Sequence, residues 1–269
     1  MNITDQMGHQ LKIPRTPERI ISLVPSQTEL LFDLGLEDRI VGITKFCIHP
    51  GEKVKGKTII GGTKNFHLDV IRDLQPDLII GNKEENYAEG IRELQQHYPV
   101  WMSDMANLEE ALVMMEEIGK LSAAAGRAGG LINTIRREFH RLAPAVPIPA
   151  AYFIWKEPYM TVGQGTFIQD MLARAGFANV FQYLSRYPEV SKAEIRAANP
   201  RVILLSSEPY PFREKHLQEF RELCPQALVK LVDGEMFSWY GSRLRLAPAY
   251  FGRLRQETAA ARGLFPGSC

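Results

Sequence analysis

Cysteine is scarce in this 269-residue chain. Cys47, Cys224 and Cys269 form an odd set with no C-x-x-C pair, which excludes a disulfide framework and a four-cysteine zinc site. All three read as reduced thiols. A charge excess is also missing: 32 Lys and Arg stand against 31 Asp and Glu, a net of +1. That balance excludes the basic footprint of a protein that coats nucleic acid and a polybasic membrane-surface binder. Long apolar runs are absent too. Runs such as Val202-Ile203-Leu204-Leu205 are strand-sized, far short of the roughly 18 apolar residues of a membrane span. The amino terminus, Met1-Asn2-Ile3-Thr4-Asp5-Gln6, lacks a basic start followed by an apolar stretch. As written it predicts a cytoplasmic protein, or a periplasmic one if a leader was removed. No P-loop, H-E-x-x-H or G-x-S-x-G pattern occurs. Gly163-x-Gly165 lacks the third glycine and the preceding strand of a dinucleotide fingerprint. Nothing selects a catalytic pair, so the chain reads as a non-enzyme.

What is present is an ordinary globular share of apolar residues, 45%, enough for one large domain or two modest ones. The first part alternates strands and helices, which implies a largely parallel, helix-covered sheet. Arg19–Val24, Arg39–Thr44 and Asp77–Gly81 read as strands. Ser26-Gln27-Thr28-Glu29 reads as a capping box opening a helix that stops at Gly35. Leu68–Leu74 and Ala88–His97 read as further helices. The second part repeats the grammar. Ala150–Trp155, Arg201–Ser206 and Leu228–Val232 are strand-like, and Thr166–Gln169 and Ser191–Glu194 look like capping boxes. Val70–Gly81 and Glu194–Ser206 share a helix, a proline and a buried strand. Between the parts, apolar residues recur every three or four positions from Leu108 to Phe139. They predict one stiff helix of about 50 Å, kinked at most by Gly126, Gly129 and Gly130. The expected division is a lobe over 1–106, a linking helix over 107–143 and a lobe over 144–269. The fold class is α/β: two lobes with mainly parallel sheets joined by one long helix, and a ligand cleft between them.

Ligands of open parallel sheets sit beyond the carboxyl ends of the strands. That rule selects Ser26, the run Lys45-Phe46-Cys47-Ile48-His49, and Asn82–Asn86 with Glu84. Further along it selects Trp155–Tyr159, Glu208, and the stretch ending Trp239-Tyr240-Gly241-Ser242-Arg243. Rings and an arginine on loops suit a large planar ligand through stacking and cation–π contact. Arg243 either pairs with Glu235 or meets an anionic ligand group. Cys47 and His49 are a candidate metal pair, short of the three or four ligands a metal site wants unless Glu84, Glu85, Glu208 or Glu235 completes it. Trp101 and the Met114-Met115 pair read as core.

RIISLVPSQTELLFDLG, RIVGIT, the helix–PDLIIG unit, the long linking helix and the second lobe together resemble the helical-backbone family of ABC-transporter substrate-binding proteins, the vitamin B12- and iron-siderophore-binding group. The resemblance spans Thr4 to Leu254. It implies a non-enzymatic monomer that holds a metal chelate for ABC-type uptake: cobalamin or another corrinoid first, ferric siderophore or haem second. No intrinsic cofactor is implied. Phe46 falls where a cleft Tyr is expected, Tyr187 where a Trp is expected, and Thr63 where another Trp would be. Asp69 matches one of two carboxylates that dock on the permease. Ala193 holds the second position, with Glu194 beside it. That departure keeps open a cytoplasmic corrinoid or iron-chelate carrier or sensor that does not dock, and an enzyme acting on the bound ligand is a further alternative.

Overall fold

The computed structural model describes residues 2–144 and 146–260, so the reading of Cys269 lies outside the described residues. The chain divides into two compact units. Unit 1 is Met1–Met105, Glu109–Ile135 and Tyr240–Arg243; unit 2 is Ala106–Leu108, Arg136–Trp239 and Leu244–Cys269.

Unit 1 is built on β1 (Ile20–Ser22), α1 (Pro25–Asp33), β2 (Ile40–Ile43), β3 (Thr58–Ile59), α2 (Leu68–Leu74), β4 (Leu78–Asn82), α3 (Ala88–Gln95) and β5 (Val100–Ser103). Its main sheet has the order β3-β2-β1-β4-β5, and every pairing in it is parallel. β1, β4 and β5 are buried along their whole length, as strands covered on both faces must be. Trp101 is fully buried, as its sequence context predicts.

Unit 2 carries β6 (Ile148–Trp155), β7 (Met160–Thr161), α6 (Phe167–Arg174), β8 (Phe177–Asn179), α7 (Lys192–Ala198), β9 (Val202–Ser206), α8 (Glu214–Leu223) and β10 (Leu228–Val232). β9 pairs with β6 and β10, all parallel, while β8 pairs parallel with the start of β6 and β7 antiparallel with its end. Phe153, Leu205, Phe212, Leu217 and Phe220 anchor a buried cluster under this sheet. In each main sheet the first strand in chain order, β1 or β6, lies inside the sheet, and later strands diverge to either side of it. That is the switch-point topology whose carboxyl end forms a crevice.

The repeated helix–proline–strand unit is present in both. α2 ends at Gln75, φ 44°, before Pro76 and β4; α7 ends at Asn199, φ 44°, before Pro200 and β9. Proline disfavours the right-handed helical region for the residue before it. That residue instead turns left-handed and closes the helix, Gln75 N–H donating to Arg72 O and Asn199 N–H to Arg196 O, both at 3.1 Å.

Two local expectations are corrected. Ser26 does not cap α1: Val24 precedes the helix and Pro25 opens it. Proline suits that first position, where its missing N–H is not needed, so Ser26 and Glu29 lie inside the helix. The 107–143 segment is not one helix but two, α4 (Leu108–Leu121) and α5 (Ala125–His140). At 1.5 Å per residue they measure about 21 Å and about 24 Å. The break falls at 122–124, where Ala123 has φ 58° and Ser122 Oγ donates to Ile118 O at 2.7 Å. The glycines expected to kink the helix lie inside α5. Of the three expected capping boxes, only Ser191–Glu194 forms completely. Thr166 caps α6, but Gln169 Oε1 accepts from Asn179 Nδ2 instead of reaching back.

Candidate functional site

In unit 1 the carboxyl ends of β4 and β5 meet α1 in a buried polar network. Gln27 Nε2 donates to Ser103 Oγ at 2.6 Å, and Asn82 Nδ2 donates to the same oxygen at 3.0 Å. Ser103 Oγ donates in turn to Gly81 O at 3.0 Å. Gln27 Oε1 is buried with no hydrogen-bond partner. Asn82 also orders the next loop: its Oδ1 accepts from Glu84 N–H at 2.8 Å and Glu85 N–H at 3.2 Å, an Asx turn. Lys64 Nζ donates to Glu84 O. Glu84 therefore sits in a fixed loop.

Phe46, beyond β2, is 51% exposed, with Lys45 Nζ 5.2 Å from its ring centroid. Both lie where a ligand contact was expected. Ser26 and Thr63 are buried. Cys47 is buried too, its Sγ 3.1 Å from Thr28 Oγ1 and 3.3 Å from Thr44 Oγ1. Burial pushes its thiol up, outweighing those hydrogen bonds. His49 is partly exposed. The expected Cys47–His49 metal pair is corrected: among the described residues no group of three or more His, Cys, Asp or Glu stands ready for a metal ion.

Arg243 is also corrected, because its guanidinium turns to Glu29. Its Nε donates to Glu29 Oε2 and its Nη2 to Glu29 Oε1, each at 2.8 Å. The side chains are only 11% and 10% exposed. Gly241, φ 108°, brings this segment against α1; a Cβ there would lie 3.2 Å from Ser26 O. Tyr240 is buried in the same segment.

In unit 2, Trp155 ends β6 and is 39% exposed, its ring edge-on to Tyr210 at 5.5 Å. Tyr159 turns inward, against the expectation for it. Its ring packs on Phe153 and Phe220, and its hydroxyl donates to Glu219. Glu219 also pairs with Lys156 at 2.6 Å. Glu208 Oε1 accepts from Ser238 Oγ at 2.6 Å and from Trp239 Nε1 at 2.9 Å. Burial raises the Glu208 carboxyl above the ordinary carboxylate range, and Glu235 and Asp233 push the same way. Trp239 is buried, its indole serving to fix that carboxylate. Tyr187 is partly exposed, with the Arg186 guanidinium 5.8 Å from its ring. Arg186 itself has φ 60° and donates to Gly165 O at 2.9 Å.

The Glu208 arrangement requires Gly234. A Cβ there would lie 2.4 Å from Ser206 Oγ and 2.6 Å from Glu208 Cγ. Ser206 cannot yield freely, since Tyr152 O–H donates to it at 3.0 Å in the interior. Gly234→Ala is expected to cost about 1–3 kcal/mol, as overpacking does, and to release the Trp239 indole. Chemical denaturation and the Trp239 fluorescence maximum check this.

Of the two expected docking carboxylates, Asp69 is exposed in the first turn of α2. Glu194 is exposed but engaged, its Oε2 accepting from Ser191 N–H and Ser191 Oγ, both at 2.7 Å. Those hydrogen bonds hold its carboxyl below the usual range. Sequence reading missed Gln27, Ser103 and Ser238. Each becomes visible only when its distant partner is placed, though the strand-end rule brings in Asn82.

A family model described as periplasmic binding protein matches residues 20–225. A vitamin B12-binding protein of Vibrio cholerae is 26% identical over 199 residues, 72% of this chain and 72% of its own. An uncharacterized ABC transporter substrate-binding lipoprotein of Bacillus subtilis, YvrC, is 24% identical over 216 residues, 76% of this chain and 68% of its own. Among solved structures, the periplasmic vitamin B12 binding protein BtuF of Vibrio cholerae superposes with a TM-score of 0.75 at 22% identity, covering 91% of this chain and 99% of that one. The periplasmic heme-binding protein RhuT of Roseiflexus sp. RS-1 gives 0.77 at 19%, covering 91% and 98%. At these identities the structural likenesses show the fold.

Proposed function

This chain belongs to the periplasmic binding protein family, and from that membership we propose that it is the substrate-binding component of an ABC-type uptake system for a metal chelate. Cobalamin or another corrinoid is the first choice, and a ferric siderophore or haem the second. The family is one of binding proteins, and the role proposed needs no covalent step. The observation that carries the reading is the pair of exposed rings at carboxyl ends of the parallel sheets, Phe46 in unit 1 and Trp155 in unit 2. Rings in that position stack on a conjugated macrocycle. The names of the similar proteins support the ligand class: one set binds vitamin B12, another heme. Lys45 and Glu84 supply polar contacts in unit 1, and Tyr187 and Glu208 supply them in unit 2. The described relatives are periplasmic or lipoproteins, which supports the periplasmic placement. Asp69 remains the permease-facing carboxylate in this reading.

A second reading keeps the ligand and drops the permease, making the chain a cytoplasmic carrier or sensor. One observation favours it: Ala193 lacks a carboxylate, and Glu194 beside it is spent on its own helix cap.

The test is separate titration of the purified chain with cyanocobalamin, hemin and a ferric siderophore. At a hundredfold excess over Kd, a ligand that binds only the folded state adds about 2.7 kcal/mol, a rise of roughly 5–10 °C in melting temperature for a chain of this size. A cyanocobalamin response is the expected result. A response to hemin or siderophore alone moves the choice to the second ligand class, and silence with all three overturns the reading.

A further inference from the structure

We propose that His216 is a proton-sensitive latch on the Trp155 ring of unit 2, closed when the imidazole is neutral and released on acidification. The geometry dictates the tautomer. His216 sits at the third position of α8, 6% exposed, and its Nδ1 accepts from Arg213 N–H at 2.9 Å. A backbone N–H is only ever a donor, so Nδ1 carries no proton and the neutral ring holds its hydrogen on Nε2. That hydrogen points to Tyr210 Oη, 3.3 Å away. Tyr210 in turn stands edge-on to Trp155 and donates its N–H to Ile154 O at 3.3 Å, at the end of β6. A chain of contacts thus runs from the cap of α8, through one imidazole and one phenol, to an exposed ring at the sheet's carboxyl end.

Protonation places a second hydrogen on Nδ1. Two donors then face each other across 2.9 Å, and the cap of α8 is lost. The groups around the ring oppose that proton on balance. Phe212 and Tyr210 press on it at 5.5 Å each. Burial lowers its proton affinity most, and the Lys215 and Lys156 cations lower it further, while Glu219 acts in the opposite sense. Glu219 is itself paired to Lys156 and Tyr159. The sign follows. A histidine whose folded proton affinity lies below its unfolded value leaves stability unaffected at high pH. As pH falls below the ordinary histidine range, the unfolded chain takes up the proton first, and stability is lost at up to about tenfold in the folding equilibrium per pH unit.

The switch rests on the uptake reading only where it concerns ligand release, because Trp155 is a wall of the proposed site. The test follows the imidazole C–H signal of His216, identified by its loss in His216→Gln, from about pH 7.5 to about pH 5. The indole N–H signal of Trp155, identified in Trp155→Phe, is followed alongside. The two are expected to move together in the wild-type chain. In His216→Gln, which retains an acceptor for Arg213 N–H and cannot titrate, the Trp155 signal is expected to hold still. Tyr210→Phe keeps the cap and the ring but loses the hydroxyl, and its Trp155 response is expected to shrink; it serves if His216→Gln does not fold. A Trp155 signal indifferent to His216 titration, or equally pH-sensitive in the variants, overturns the latch. Cyanocobalamin affinity is expected to fall about fivefold or more across the same interval, in the wild type and not in His216→Gln. A chain that binds no cyanocobalamin at any pH overturns the ligand half of the proposal, while the Trp155 signal still judges the latch.

Discussion

Arg243→Ala is expected to remove about 3–5 kcal/mol from the stability of unit 1, the cost of leaving one member of a buried ion pair without the other. Glu29 lies inside α1 and is 10% exposed, and both its oxygens are met by the same guanidinium. Losing the arginine strands a carboxylate in the interior and frees the Tyr240–Arg243 segment from α1. Glu29→Met combined with Arg243→Leu is expected to recover most of the loss, since an apolar pair of similar volume replaces the ion pair at little net cost. Hydrogen exchange of α1 amides and denaturant unfolding followed at Trp101, the buried indole of unit 1, measure both variants. Equal stability of Arg243→Ala and wild type would show that the pair is solvated and that Arg243 is free for a ligand after all.

That pair also marks the limit of what the linear sequence discloses. Its partners are 214 positions apart, and no local pattern joins them. Glu29 three residues after Ser26 satisfies the capping-box spacing, yet Pro25 before Ser26 moves the helix start two positions earlier, from Gln27 to Pro25. The cue was local and the deciding interaction was not. Where the deciding interaction is itself local, the sequence is legible. The same left-handed closure stands before Pro76 and before Pro200, and the strands after them lie where the buried runs place them. β5 escaped notice because Val100–Ser103 holds a single β-branched residue and follows Pro99, so it offers no β-branched run like those of β1 and β4. The rings divide on the same principle. Phe46 and Trp155 are exposed as the strand-end rule suggests, whereas Tyr159 and Trp239 occupy equally plausible loops and turn inward to Glu219 and Glu208. Loop position tells that a ring is near the strand ends of its own sheet, and only the placement of its polar tip tells which way it faces.

Asn82 offers the sharper test of whether the unit 1 crevice is built or incidental. Its carboxamide joins two jobs: Nδ2 donates to Ser103 O and Oγ, and Oδ1 holds the amides of Glu84 and Glu85. Asn82→Ala abandons all of these in a site that is 2% exposed. At about 1 kcal/mol per lost bond, with a further penalty for buried groups left unmet, the expected loss is about 2–4 kcal/mol. The amides of Glu84 and Glu85 should exchange faster as the loop comes free. Asn82→Asp separates the two jobs. It keeps an acceptor for both amides, so their protection is expected to survive, but it aims a carboxylate at the Ser103 carbonyl and loses both donors. At neutral pH it should therefore destabilise at least as much as alanine while leaving the loop ordered. Acidification should narrow that deficit, because a protonated Asp regains one donor and sheds the buried charge. If instead the two variants free the loop equally, the Asx turn is not what fixes Glu84, and Glu84 loses its claim to a preorganised place in the site.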